Sequence, residues 1–137
     1  MLKALTGPAD ATEPLADSEA ADPLLDQQKL DVYRVAVEFH SLAAGLLPWR
    51  GHSILRDQLD RASLSIVLNI AEGAGRFSPP DKARLYAIAR GSATECAAIL
   101  DVLLGRGIVN APTYRCVRSL LVRIVQMLTK LASRLRR

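Results

Sequence analysis

Aromatic side chains are scarce in this chain: they make up 4% of its 137 residues, although half of all residues are hydrophobic. A core built from it must therefore come from Leu, Ile, Val and Ala, a mixture that suits helices. Cysteine is scarcer still. Cys96 and Cys116 form no metal or redox spacing, and two thiols make no disulfide framework. Both are expected to be reduced and packed on helices in a cytoplasmic protein. No run approaches the ~20 apolar residues that span a bilayer, and the opening MLKALTGPAD lacks the apolar stretch of a signal peptide. No strand pattern or internal repeat competes with a helical reading.

Acidic residues are missing from one region altogether. After Asp101 the chain contains none, whereas residues 1–28 hold six acids against Lys3, a net of −5. The remaining residues carry 17 basic against eight acidic side chains, a net of +9, so the overall +4 conceals a polar chain. A basic domain behind an acidic leader points to an anionic partner. The leader is free to shield the same basic surface, or simply to keep a basic protein dissolved. With Pro8, Pro14 and Pro23 and no apolar periodicity, residues 1–28 are expected to be disordered. One domain is expected over residues 29–137.

Four amphipathic helices follow. The first is expected from about Leu30 to Gly45, presenting Leu30, Tyr33, Val35, Val37, Leu42 and Ala44, and Pro48 and Gly51 break the chain after it. The second runs from Ser53 to Glu72, stopped by Gly73 and Gly75. Its apolar arc holds Leu55, Leu59, Ala62, Ile66, Val67, Ile70 and Ala71. Gln58, Arg61, Ser65, Asn69 and Glu72 form a narrow polar stripe opposite. The stripe reads either as solvent contact or, as favoured here, as a hydrogen-bonded seam facing another helix or subunit.

The third helix begins at the capping serine of Ser78-Pro79-Pro80-Asp81 and repeats Leu85, Ile88, Ala89, Ser92, Cys96, Ile99 and Leu103. Gly91 within it costs about 1 kcal/mol against alanine, which suggests a close helix–helix contact. The fourth starts near Pro112-Thr113. Val117, Leu121, Ile124, Leu128, Leu131 and Leu135 make a coiled-coil-like seam, and Arg115, Arg123, Lys130, Arg134 and Arg137 lie on the opposite face. Short links between four such helices imply an all-α, up-down-up-down four-helix bundle.

Little in the sequence points to catalysis. His40 and His52 sit on different elements with no carboxylate or cysteine at ligand spacing, so they read as surface or boundary residues and no metal site is expected. Glu72 and Glu95 read as partners for arginines such as Arg61 or Arg90 rather than as an acid–base pair. The glycines of Gly73-Ala74-Gly75-Arg76 follow a helix instead of a strand, the wrong setting for a phosphate loop. No cofactor is expected, and an enzyme is the least favoured reading. The basic fourth helix is suited to a phosphate backbone, while the shortage of aromatics argues against stacking on bases.

Two stretches carry a resemblance: Gln58–Arg76 (QLDRASLSIVLNIAEGAGR) and Arg84–Leu100 (RLYAIARGSATECAAIL). They contain Arg61-Ala62, Ser65-Ile66, Asn69-Ile70-Ala71-Glu72-Gly73, Gly75-Arg76 and Ala89-Arg90-Gly91-Ser92 followed by Glu95, with Leu30-Asp31-Val32-Tyr33 opening the first helix. In these motifs the chain resembles the bacterial four-helix-bundle family encoded within 23S rRNA intervening sequences. It is similar also to the accessory variability determinant of diversity-generating retroelements. The resemblance covers roughly residues 29–105. It implies a homopentameric barrel of four-helix bundles, an accessory role with RNA or DNA and, for retroelement members, a reverse transcriptase as partner. Within it Gln58, Arg61, Ser65, Asn69, Glu72, Arg76 and Glu95 are expected to form the structural or oligomer seam. A protein-interaction scaffold without nucleic-acid affinity is the alternative.

Overall fold

A computed structural model describes residues 23–48 and 50–136. Most of the leader, residues 1–22, lies outside the described residues, as do Trp49 and Arg137. Four α-helices account for most of the rest: α1 (Asp31–Ala43), α2 (Ser53–Ala74), α3 (Pro79–Gly105) and α4 (Ala111–Leu135). A single 3-10 turn, Asp26–Lys29, precedes α1. Each helix packs on its neighbour in sequence, and α1 closes on α4. The result is an all-α fold with no strand among the described residues, arranged as a four-helix bundle.

Helix boundaries follow from local chemistry. Ser78 Oγ accepts from the Asp81 amide at 3.4 Å with prolines in the first turn of α3, and Asn110 Oδ1 accepts from the Thr113 amide at 2.8 Å to start α4. At the far end of α3, Gly107 takes φ 73°. The Gly107 amide then reaches the Leu104 carbonyl at 3.0 Å and the Ile108 amide the Leu103 carbonyl at 2.9 Å. This is the paired bond of a Schellman stop, which glycine adopts without steric cost. Between α1 and α2, Arg56 donates to the carbonyls of Pro48 at 2.9 Å and Gly51 at 2.5 Å, holding the loop against the start of α2.

The core is aliphatic, as the scarcity of aromatics requires. Phe39, Leu59, Ile66, Ile70, Leu100 and Leu103 are fully buried with Leu121, Ile124 and Leu128. In α4 this is the expected seam, with Leu120 added and Leu131 and Leu135 partly covered at its end. In α1 the buried face matches the expected one in part: Val35 is buried, and Leu30, Tyr33 and Leu42 are partly covered against the core. Val32, Val35, Ala36, Phe39 and Ala43 turn inward, while Val37 and Ala44 are exposed. Apolar residues stand all round this short helix, and the 4-3-4 stepping 32–36–39–43 is the face that packs against α2 and α4. In α3, Ile88 is 43% exposed, and Tyr86, Ala93 and Leu100 are buried in its place.

The glycines also depart from expectation. α2 continues through Gly73 and Ala74 and ends at Gly75. Gly73 is the close contact: a Cβ there would lie 2.8 Å from Tyr86 Cε1 and 3.3 Å from Leu85 Cβ. Gly91 has nothing within 4 Å of where its Cβ would be, so no helix of the bundle approaches it. Lys82 adds a donor at the end of α2: its Nζ donates to the Ala74 carbonyl at 2.9 Å and to that of Gly73 at 3.2 Å, which also accepts from the Arg76 amide at 3.2 Å. A cation at a helix C-terminus also meets the negative end of the dipole.

Candidate nucleic-acid interface

The burial of Val117, Leu121, Ile124 and Leu128 fixes the rotation of α4, and that rotation turns its cations outward. Arg115, Arg123, Lys130 and Arg134 are all exposed; Arg137, assigned to the same face, lies outside the described residues. With a rise of ~1.5 Å per residue, Arg123 to Arg134 spans about 16 Å and Arg115 stands about 12 Å further along. Among the described residues none of these four has a hydrogen bond or an ion pair. The side chains are thus not committed within the bundle, and no carboxylate on α4 competes for them.

Two shallow depressions run along this strip. Arg123 and Lys130 border one of about 190 Å³ with Gln126 and Met127. Lys130 and Arg134 border a second of about 260 Å³, shared with Lys29 and the start of α1. Cations beside open, shallow ground suit a phosphate backbone lying across the helix better than a small molecule held in a pocket. Arg118 and Arg136 are exposed on the flank of the same helix. They were not singled out by the sequence, although the acid-free run that includes them is visible there.

The polar stripe of α2 is divided between two settings. Gln58 Nε2 donates to Glu95 Oε2 at 3.0 Å, and Ser65 Oγ and Ser92 Oγ lie 2.8 Å apart, so these four side chains tie α2 to α3 within one protomer. Asn69 donates back to the Ser65 carbonyl at 2.9 Å and to its hydroxyl at 3.1 Å. Glu72 pairs with Arg76 at 2.5 Å across one helical turn, both half-exposed, and this contact holds the guanidinium pKa above its ordinary value. The carboxylates therefore answer Arg76 and Gln58, not Arg61 or Arg90. Arg90 donates instead to Thr129 Oγ1 at 3.1 Å, linking α3 to α4. Arg61 is exposed, with no hydrogen bond or ion pair among the described residues.

Further links lie outside the expected set. His40 Nδ1 and Ser63 Oγ are 2.7 Å apart, and Ser63, fully buried, also has the Asp60 carbonyl within donating distance at 3.1 Å. A buried hydroxyl is thereby satisfied between α1 and α2. Tyr114 donates to Asp101 Oδ1 at 2.6 Å, which raises the phenol pKa. His52 is exposed at φ 54° in the turn before α2. Among the described residues no three His, Cys, Asp or Glu side chains gather as a metal site, and no helix is long and apolar enough to cross a membrane.

No curated protein matches the chain. A crystal structure of a protein of unknown function from the S23 ribosomal protein family of Bacteroides thetaiotaomicron VPI-5482 is similar to it. The two are 20% identical, with a TM-score of 0.70 over 79% of this chain and 98% of that one. At this identity the likeness supports the four-helix fold alone. The family profile described as 23S rRNA-intervening sequence protein matches residues 28–130, a span that takes in α1, α2 and α3, α4 as far as Lys130, and the motifs of α2 and α3. The chain belongs to the 23S rRNA-intervening sequence protein family.

Proposed function

We propose that this protein is a non-enzymatic, oligomeric accessory protein of the cytoplasm that binds RNA or DNA through charge on α4. The observation that carries this reading is the strip Arg115, Arg123, Lys130 and Arg134. It is exposed and unpaired among the described residues, on a helix without acids. Its cations project from a helix whose other face is locked in the core, so a ligand is met without unfolding. Such contacts follow phosphates and carry no base readout. Where the gene lies in a retroelement, a reverse transcriptase is the protein partner of the same reading.

Assembly is the second half of the proposal. Leu64 and Leu68 on α2 are 39% and 55% exposed, and Ile88 and Val102 on α3 are 43% and 42% exposed. Single exposed leucines need no explanation, but four exposed apolar side chains on two adjoining helices offer area that a second copy could cover. Five copies, as the family resemblance implies, would repeat the α4 strip and add weak sites through effective concentration.

Filter binding of a short duplex and a short single-stranded RNA tests the reading, using the parent chain and an Arg123→Ala/Lys130→Ala/Arg134→Ala variant. Loss of three phosphate contacts is expected to weaken binding by about 10²-fold or more at low salt. Equal retention of parent and variant moves the contact off α4. Retention by neither at low salt favours the scaffold reading.

A further inference from the structure

The depressions on the basic side of the bundle are not separate. The one bordered by Arg123 and the one bordered by Arg134 share Met127 and Lys130. The second in turn shares Lys29 and Leu30 with a third, of about 400 Å³, which reaches Arg76, Phe77 and Tyr86. The turn Asp26–Lys29 forms this bridge because it packs against both α1 and α2. Arg34 pins the turn by donating to the Gln28 carbonyl at 2.9 Å. The basic strip of α4 therefore does not stop at Arg134. It continues over Lys29 to the corner where α2 passes into α3.

Two cations on this extension keep donors to spare. Lys29 is exposed and faces only a loose pairing with Asp26 at 3.8 Å. Arg76 gives Glu72 one of its five N–H donors. Lys82 differs: it spends its ammonium on the carbonyls of α2, so it holds the corner in shape. At the corner stands Phe77, 97% exposed. Among the described residues it is the only fully exposed aromatic side chain, since Phe39 and Tyr86 are buried and Tyr33 and Tyr114 are half-buried. A ring left this bare adds almost nothing to the core. Its backbone is nevertheless held. The link between α2 and α3 is residues 75–78, with the Arg76 amide on the Gly73 carbonyl at 3.2 Å and Ser78 capping α3 ahead of two prolines. A platform fixed in advance loses little freedom when a flat ligand settles on it.

We propose that this corner takes an unpaired base: a single-stranded nucleic acid follows the α4 strip, lays its phosphates on Lys29 and Arg76, and stacks one base on Phe77. Cations along the backbone with an aromatic face under a base hold single strands without reading their sequence. One ring holds one base, so the scarcity of aromatics limits the stacking to a single step. A duplex cannot follow the same path. It is stiff over about 50 nm and keeps its bases paired, so it meets the α4 strip alone. The proposal rests on the nucleic-acid reading above and adds to it the form of nucleic acid and a contact at the far end of the strip.

Fluorescence anisotropy of the full-length protein tests this with labelled probes of about twelve nucleotides. The probes are an oligo-deoxyadenosine single strand, its ribose counterpart, a deoxyribose–phosphate strand without bases, and a duplex. Phe77→Ala is expected to weaken both single strands about tenfold, and to leave the baseless strand and the duplex unchanged. Phe77→Trp should keep the parent's affinity. The ring releases no counterion, so Phe77→Ala should leave the salt slope for the single strand as it is, whereas Lys29→Ala/Arg76→Ala should flatten it by about 1.4. Equal affinity of parent and Phe77→Ala for the single strands overturns the inference, as does a loss that the baseless strand or the duplex shares. A lower particle mass of Phe77→Ala in light scattering also overturns it, because the ring then lies between copies. The two readings fail differently. A parent that binds no probe sinks both, whereas binding that depends on Arg123, Lys130 and Arg134 but not on Phe77 sinks this one alone.

Discussion

Cys96 lies on the core face of α3, and burial pushes its thiol up to about 12, with the neighbouring Glu95 carboxylate adding to the rise. Cys116 is exposed on α4. A chromogenic thiol reagent should therefore titrate one cysteine per chain at once and the second only with denaturant. A fast reaction of both would contradict the burial of Cys96. The same burial sets a pH dependence. A thiol whose folded pKa lies above its ordinary value of 9.0 stabilises the fold fully below that value, and the contribution is lost as pH climbs toward about 12. Burial moves the Tyr86 phenol in the same direction. Melting temperature should hold to about pH 9 and fall beyond it, and Cys96→Ala should make that fall shallower.

Two glycines offer opposite substitutions at the same scale. Gly73→Ala drives a methyl group against Tyr86 and the Leu85 backbone-proximal carbon. Overpacking of this kind costs about 1–3 kcal/mol, against about 1 kcal/mol of helix propensity recovered. The expected result is a lower melting temperature. Gly91→Ala meets nothing within the bundle and should raise stability by roughly 0.5–1 kcal/mol. If Gly91→Ala instead weakens self-association in light scattering, the glycine lies at a contact between copies. The sequence exposes both glycines equally; only the position of Tyr86 tells which one a neighbour crowds.

The elements divide by how much of their packing was legible. α2 and α4 were readable in rotation because one broad apolar arc stands against a polar stripe, and a helix with that contrast buries in one way only. The start of α3 was legible in Ser78 and the prolines after it, whereas the Asn110 cap of α4 was overlooked beside Pro112. α1 was misjudged at Val37 and Ala44, because its apolar residues leave two faces nearly equal and the neighbours decide. The seam on α2 was legible as a stripe but not in its pairings, since Gln58–Glu95 and Ser65–Ser92 depend on the register of α2 against α3. Glu72→Ala tests what that stripe does. Within one protomer it removes only a half-exposed i,i+4 pair with Arg76, which adds little to stability. A fall in melting temperature of about 4 °C or more, the size expected for a loss near 1 kcal/mol, would place Glu72 in a buried contact between copies. No change would leave it as solvent contact.

For the whole molecule, the closed bundle accounts for the core residues and leaves two features unexplained by folding: the exposed apolar residues of α2 and α3 and the basic strip of α4. Light scattering at micromolar concentration should give the mass of five chains, and a monomer mass would remove the assembly proposal. The strip is tested most directly by the salt dependence of binding to duplex DNA. Four cations per chain on phosphates predict a slope of log Kobs against log salt near −3.6 per chain engaged, because each contact releases about 0.9 counterion. The Arg123→Ala/Lys130→Ala/Arg134→Ala variant should flatten that slope by about 2.7 for each chain engaged. A steep slope shared unchanged by parent and variant, or binding indifferent to salt, would contradict the account.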